Sequence, residues 1–170
     1  DPEVRVVVLR AEGRGFNAGV DIKEMQATEG FDALIGANKG CYAAFAAVYD
    51  CPVPVVAAVN GFCVGGGIGL VGNADVIVAA DDATFGLPEV DRGALGAATH
   101  LARLVPPHLM RTLYFTARTI SAADLVPHGS VLEVALPSVG DGTRARRDLD
   151  LYLAAWRGLH PPVEATIIDA

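Results

Sequence analysis

This sequence is poor in lysine, in aromatic residues and in paired cysteines, and each shortage excludes something. Of 13 basic residues among 170, only two are lysines, Lys23 and Lys39, and the formal net charge is -7. Nucleic acids and anionic membranes both require a basic face. With so few cations, an anionic ligand must be held locally, by a few side chains and backbone N–H groups. Aromatic residues are 6% of the chain against 52% hydrophobic residues in all, with 19 glycines. The core is therefore built from small and β-branched side chains in close contact. The three cysteines, Cys41, Cys51 and Cys63, form no C-x-x-C pair. An odd count without that spacing reads as reduced thiols in a cytoplasmic protein. Zinc-ligand spacing and a G-x-S-x-G nucleophile elbow are also missing. The opening Asp1-Pro2-Glu3-Val4 has no export signal and runs at once into a strand-like segment, as in a domain entered part-way through. The one long uncharged stretch, Val53–Ala74, contains Pro54 and six glycines, too many breaks for a lipid-spanning helix.

What is present reads as alternating strands and helices. Arg5–Leu9, Val53–Val59 and Asp75–Ala80 are β-branched apolar runs, predicted as buried strands. Thr84–Phe85 is expected as a short edge strand and Val131–Val134 as a last short one. Asp21 stands three residues before Glu24, which is a capping-box signature at a helix start. Phe31–Tyr49 has apolar residues at helical spacing and predicts a long amphipathic helix stopped by Pro52. Short helices are expected at Ile68–Asn73, Ala97–Val105, Leu109–Phe115 and from Ala122, and a loop over Asn60–Gly67. No internal repeat is evident. The order β-α-β-α-β with uniformly apolar strands implies a parallel sheet covered by helices, an α/β fold. Residues 1–135 form the expected core, and 136–170 a charged, amphipathic, helical tail.

The glycine cluster carries the chemistry. Gly67-Ile68-Gly69-Leu70-Val71-Gly72 fits the dinucleotide pattern G-x-G-x-x-G. The next strand begins too soon after it for a nucleotide-binding crossover, which takes a dozen or more residues. The other use is an oxyanion hole. Successive glycines let backbone N–H groups face a ligand, and a helix start adds partial positive charge at the same place. A second glycine loop, Asn17-Ala18-Gly19-Val20, also follows a strand and leads into a helix. Two such loops can converge on one carbonyl oxygen and stabilise an enolate or tetrahedral oxyanion; the alternative is a pair of tight turns.

These residues carry a resemblance. Phe16-Asn17-Ala18-Gly19-Val20-Asp21-Ile22-Lys23-Glu24-Met25 resembles F-x-A-G-x-D-[IL]-K-E-M of the crotonase (enoyl-CoA hydratase/isomerase) superfamily. Val55 to Gly67 resembles its P-[VI]-[VI]-A-A-[VI]-x-G-x-x-x-G-G-G block. Ala83-Thr84-Phe85-Gly86-Leu87-Pro88-Glu89 continues in register, and the likeness spans about residues 4 to 134. Within the superfamily it is most like actinobacterial hydrolases that open a ring of a bicyclic acyl-CoA in steroid catabolism.

The resemblance implies a crotonase-like ββα superhelix and an acyl-CoA substrate, with coenzyme A as part of that substrate and no separate cofactor or metal. It implies oxyanion donors at the N–H groups of Val20 and Gly66. Asn17, Ala18, Gly19, Asp21, Lys23, Gly65 and Gly67 become the CoA-binding set. It also implies a homotrimer or hexamer. Hydratases of the family use two glutamates. The first maps onto Gly69, which has no side chain, and the second onto Glu89. Asp91 is a second acid nearby, on the face of Glu89 only if that segment is extended, and either Glu89 or Asp91 is the candidate base that activates a water. His100 is the nearest imidazole in sequence; His108, His128 and His160 are dispersed. One carboxylate beside an oxyanion hole fits hydrolysis of a C–C bond in a cyclic β-diketone acyl-CoA. Enoyl-CoA hydration and double-bond isomerisation are alternatives, as is a non-catalytic interaction domain. Against the family pattern, a front hairpin is missing before Arg5 and Leu136–Ala170 is atypical.

Overall fold

The structure, a computed structural model, describes residues 3–27, 31–92, 96–135 and 164–169. Two sheets organise it. The larger has five strands in the order β8-β5-β3-β1-β9, made of β1 (Val4–Arg10), β3 (Val55–Val59), β5 (Val76–Ala80), β8 (Glu133–Ala135) and β9 (Glu164–Asp169). Every pairing in it is parallel. The smaller has four strands in the order β2-β4-β6-β7, made of β2 (Gly15–Asn17), β4 (Phe62–Val64), β6 (Thr84–Gly86) and β7 (Thr119–Ser121). In it β2, β4 and β6 run parallel and β7 runs antiparallel to β6.

The chain winds through these sheets in strand–strand–helix units. Strands β1 and β2 are followed by α1 (Ile22–Ala27) and α2 (Phe31–Tyr49); β3 and β4 by α3 (Gly66–Val71); β5 and β6 by a 3-10 turn (Pro88–Arg92) and α4 (Ala98–Leu101). Helices α5 (Pro107–Thr116) and α6 (Ala122–Leu125) flank β7. The first strand of each unit joins the large sheet and the second joins the small one, the ββα superhelix that the resemblance implied.

Period-two alternation sets the core. Leu9, Val55, Ala57, Val59, Ile77 and Ala79 face one side of the large sheet, packing with Phe16, Phe85, Ile68 and Leu101. Val6, Val8, Val56 and Val78 form a cluster on the other side. A sheet buried on both faces needs uniformly apolar strands, which is why β3 and β5 read as continuous runs. Asp21 caps α1 as its spacing predicted: its Oδ1 accepts from the Lys23 N–H at 2.8 Å and the Glu24 N–H at 3.3 Å.

Three expectations are corrected. Asn60–Gly67 is not all loop, because β4 lies within it. Thr84–Phe85 belongs to β6, which has neighbours on both sides rather than an exposed edge. The tail is not helical throughout: 164–169 form β9, parallel to β1. Residues 136–163, where the rest of the tail was placed, lie outside the described residues. The uncharged stretch Val53–Ala74 resolves into β3, β4 and α3. Among the described residues no helix is long and apolar enough to cross a membrane.

Candidate active site

The small sheet builds the site. Because β2, β4 and β6 are adjacent and parallel, the loops after them leave the same edge of the sheet. The loop after β2 carries Ala18, Gly19 and Val20; the one after β4 carries Gly65 and opens α3 at Gly66; the one after β6 carries Glu89. Ligand sites of parallel sheets form at such carboxyl ends.

The two glycine loops touch. A Cβ on Gly19 would lie 3.2 Å from the Gly66 nitrogen, and one on Gly66 would lie 3.3 Å from the Gly19 Cα. Gly19 and Gly65 sit at φ 93° and 59°, in the left-handed region that side chains avoid. Asn17 fixes the first loop, its Oδ1 accepting from the Gly19 N–H at 2.8 Å. The second is tied to β6 by the Gly65 N–H donating to the Gly86 carbonyl at 3.2 Å. Among the described residues neither the Val20 nor the Gly66 N–H has a hydrogen-bond partner. Gly67 is buried against Asn17 and Cys63; a Cβ there would lie 3.1 Å from the Cys63 Sγ.

Glu89 reaches this point from the 3-10 turn. Its Oε1 would lie 2.9 Å from a Cβ on Gly65, and its buried Oε2 has no hydrogen-bond partner. Burial pushes its carboxyl above the ordinary range, a backbone hydrogen bond offsetting part of that. A carboxyl with a raised pKa and an unpartnered oxygen, set against the Gly65 turn, has the chemistry to take up a proton.

The other nominated residues stand as follows. Asp91 lies on the 3-10 turn, not an extended segment, so it does not share the face of Glu89 and is exposed. Ala18, Asp21 and Lys23 are exposed beside the Gly19 loop, with the Asp21 carboxylate spent on the α1 cap. Among the described residues no three His, Cys, Asp or Glu side chains gather as a metal site.

Sequence reasoning missed a neighbour. The space a side chain at Gly69 would enter holds the ring of Phe45, from α2. His100 meets that ring edge to face, centroids 4.9 Å apart. It also missed a polar clamp past the end of α3. Arg103 donates to the Asn73 Oδ1 and, at 3.2 Å, to the Gly72 carbonyl. Asn73 Nδ2 in turn donates to the Gly69 carbonyl at 2.6 Å and lies 3.0 Å from His100 Nδ1. A cleft of about 450 Å³ beside this clamp is lined by Tyr49, Asn73, Asp75, Arg103 and Ser130 and holds none of the nominated residues.

The chain matches the family described as enoyl-CoA hydratase/isomerase over residues 1–140. It belongs to that family. Among curated members it is 72% identical over 155 residues to a Rhodococcus jostii protein, 91% of this chain and 59% of that one. It is 78% identical over 132 residues to one from Mycobacterium tuberculosis, 78% of this chain and 53% of that one. Both relatives are named (7aS)-7a-methyl-1,5-dioxo-2,3,5,6,7,7a-hexahydro-1H-indene-carboxyl-CoA hydrolase. A solved enoyl-CoA hydratase from Mycobacterium smegmatis is similar with a TM-score of 0.82 at 29% identity, over 91% of this chain and 59% of that one. The chain thus spans little more than half the length of the curated family members it matches.

Proposed function

We propose that the site holds the thioester of a bicyclic β-diketone acyl-CoA and opens its ring by adding water across a C–C bond, a step of steroid degradation. The carrying observation is that a single carboxylate, Glu89, stands against Gly65 where the two glycine loops touch, with the Val20 and Gly66 N–H groups of those loops unpartnered, while Phe45 fills the place beside Gly69. In this reading the Val20 and Gly66 N–H groups hold the thioester oxygen. Asn17, Ala18, Gly19, Asp21, Lys23, Gly65 and Gly67 line the coenzyme A path.

Glu89 takes a proton from water as the oxygen attacks the ring ketone. The ring ketone and the thioester carbonyl, the two carbonyls of the β-dicarbonyl unit, flank one α-carbon; the bond from the ketone carbon to it breaks, and its electron pair becomes the thioester enolate. Protonated Glu89 then returns the proton to the α-carbon, leaving a carboxylic acid and a ring-opened thioester. Each electron pair and proton is accounted for, and one acid–base group suffices. The names of the two hydrolase relatives, a dioxo-hexahydroindene carried on CoA, support this substrate class.

Double-bond isomerisation also needs one group to move one proton, and the same geometry serves it. The deciding assay offers purified protein a cyclic β-diketone acyl-CoA and, separately, an enoyl-CoA. A product heavier by one water from the first substrate supports ring opening. Hydration or isomerisation of the enoyl-CoA with no ring opening overturns it. Failure to bind acetoacetyl-CoA, which presents the same enolate, favours a non-catalytic interaction domain.

A further inference from the structure

Gly65, Gly69 and Gly72 fall four and three residues apart, so they share one face of α3 and the turn after it. Each is met by a residue of another element, a Cβ on Gly72 first by the His100 carbonyl at 2.7 Å. A Cβ on Gly65 would lie 2.9 Å from Glu89 Oε1, one on Gly69 would run into the Phe45 ring, and one on Gly72 would lie 3.0 Å from the His100 Cβ. Glu89, Phe45 and His100 therefore stand in file, with Phe45 one helical turn, about 5.4 Å, beyond the Gly65–Gly66 start of the helix.

The ring is held in place. His100 packs against it, and His100 is itself fixed by the clamp. Arginine can only donate, so the bond from Arg103 assigns the Asn73 oxygen and turns the Asn73 Nδ2 toward His100 Nδ1. Nδ1 must then accept, which puts the imidazole proton on Nε2 and keeps the ring neutral. Arg103 also lies 4.8 Å from the ring centroid of Tyr49, one turn along α2 from Phe45. Helix α2 is thereby gripped at two points on the face that approaches α3.

We propose that Phe45 is the specificity-determining residue of the acyl pocket: its braced ring is an apolar wall one turn from the Gly65–Gly66 start of α3, selecting a ring-shaped acyl group over a linear one and keeping any second acid–base side chain away from the thioester. This rests on the acyl-CoA reading above. A rigid ring buries apolar surface against this wall with no rotors to freeze, whereas a flexible chain loses conformational freedom to lie along it.

The test compares Kd and kcat/KM for a bicyclic β-diketone acyl-CoA and a linear β-ketoacyl-CoA in wild type, Phe45→Leu and Phe45→Ala, with acetoacetyl-CoA binding measured in all three. Phe45→Ala is expected to lower the cyclic-over-linear preference about tenfold, the worth of about two buried CH2 groups, while acetoacetyl-CoA binding stays within about twofold, under the worth of one. Phe45→Leu, which keeps most of the volume, is expected to lower the preference by less. A second arm uses thermal melting. Gly69→Glu lowers Tm, and adding Phe45→Ala to it restores most of the loss. An unchanged preference in Phe45→Ala overturns the proposal, as does a Gly69→Glu variant that melts like wild type. Wild type failing to bind acetoacetyl-CoA overturns the acyl-CoA reading itself; wild type binding it while Phe45→Ala alters both substrates alike overturns this proposal alone.

Discussion

Helices α2 and α3 both carry glycines, and they use them in opposite ways. In α3 four of six residues are buried, and the glycines along it are places where another part of the molecule comes within contact distance. In α2 none of 19 residues is buried, and a Cβ on Gly36 or Gly40 would meet nothing within 4 Å. Phe31 and Tyr42 on α2 are 78% and 75% exposed. Composition alone cannot separate these cases. What separates them is whether the missing side chain makes room for a neighbour or merely leaves the backbone loose.

The comparison breaks most visibly at the site that α3 opens. Glu89→Gln is expected to cut kcat about 10²- to 10⁴-fold, the usual size of a lost acid–base group, measured as turnover at saturating substrate. The same change has the opposite sign in stability. Burial raises the folded carboxyl's pKa, so the unfolded chain gives up this proton first, near the ordinary value of about 4.3. Keeping Glu89 charged therefore costs stability at neutral pH. The variant should melt higher than wild type at pH 7, and that gain should vanish below about pH 4.3.

A matched pair of glycine substitutions sharpens the contrast next. Gly69→Ala forces a methyl into the Phe45 ring and is expected to cost about 1–3 kcal/mol, as overpacking does. Gly36→Ala or Gly40→Ala adds a methyl to open space in a helix and is expected to gain about 0.5–1 kcal/mol each. Chemical denaturation of the three variants reads both signs; a Gly69→Ala variant as stable as Gly36→Ala would erase the distinction. The smallest effect concerns His100, whose pKa is lowered by burial and by the Arg103 charge. Its neutral form is favoured in the fold, so the unfolded chain binds the extra proton first as pH drops below about 6.5, and stability falls with it. A shallower acid slope is expected for His100→Gln in melts stepped across that range.

Much of this was legible from residues because it is local. The bounds of α2 follow from apolar periodicity ended by Pro52, the α1 cap from Asp21, and the large sheet from runs such as Val55–Val59. The small sheet was not legible. Its strands β2, β4 and β6 are three residues each, too short to show a period, and they sit among glycines that read as loop. That hidden sheet sets the three loops side by side. The motifs named Val20, Gly66 and Glu89, but only the sheet explains why the loops that carry them lie together. The face of Asp91 turned on one dihedral choice, extended or 3-10, that two acids in five residues do not decide. Phe45 was missed because it keeps the helical period of α2 as any inward-facing apolar residue would; its trace in the sequence was the empty position at Gly69, more than twenty residues on.

Cys63 turns the same packing into a clock. Its thiol lies under Gly67, fully buried, and burial pushes its pKa far above that of a free cysteine. Thiolate is the species that alkylates, so Cys63 is silent while the interior stays shut. Cys41 and Cys51 are partly exposed and react earlier. Labelling of Cys63 over time therefore counts openings of the layer beneath α3, the layer that holds both glycine loops in register.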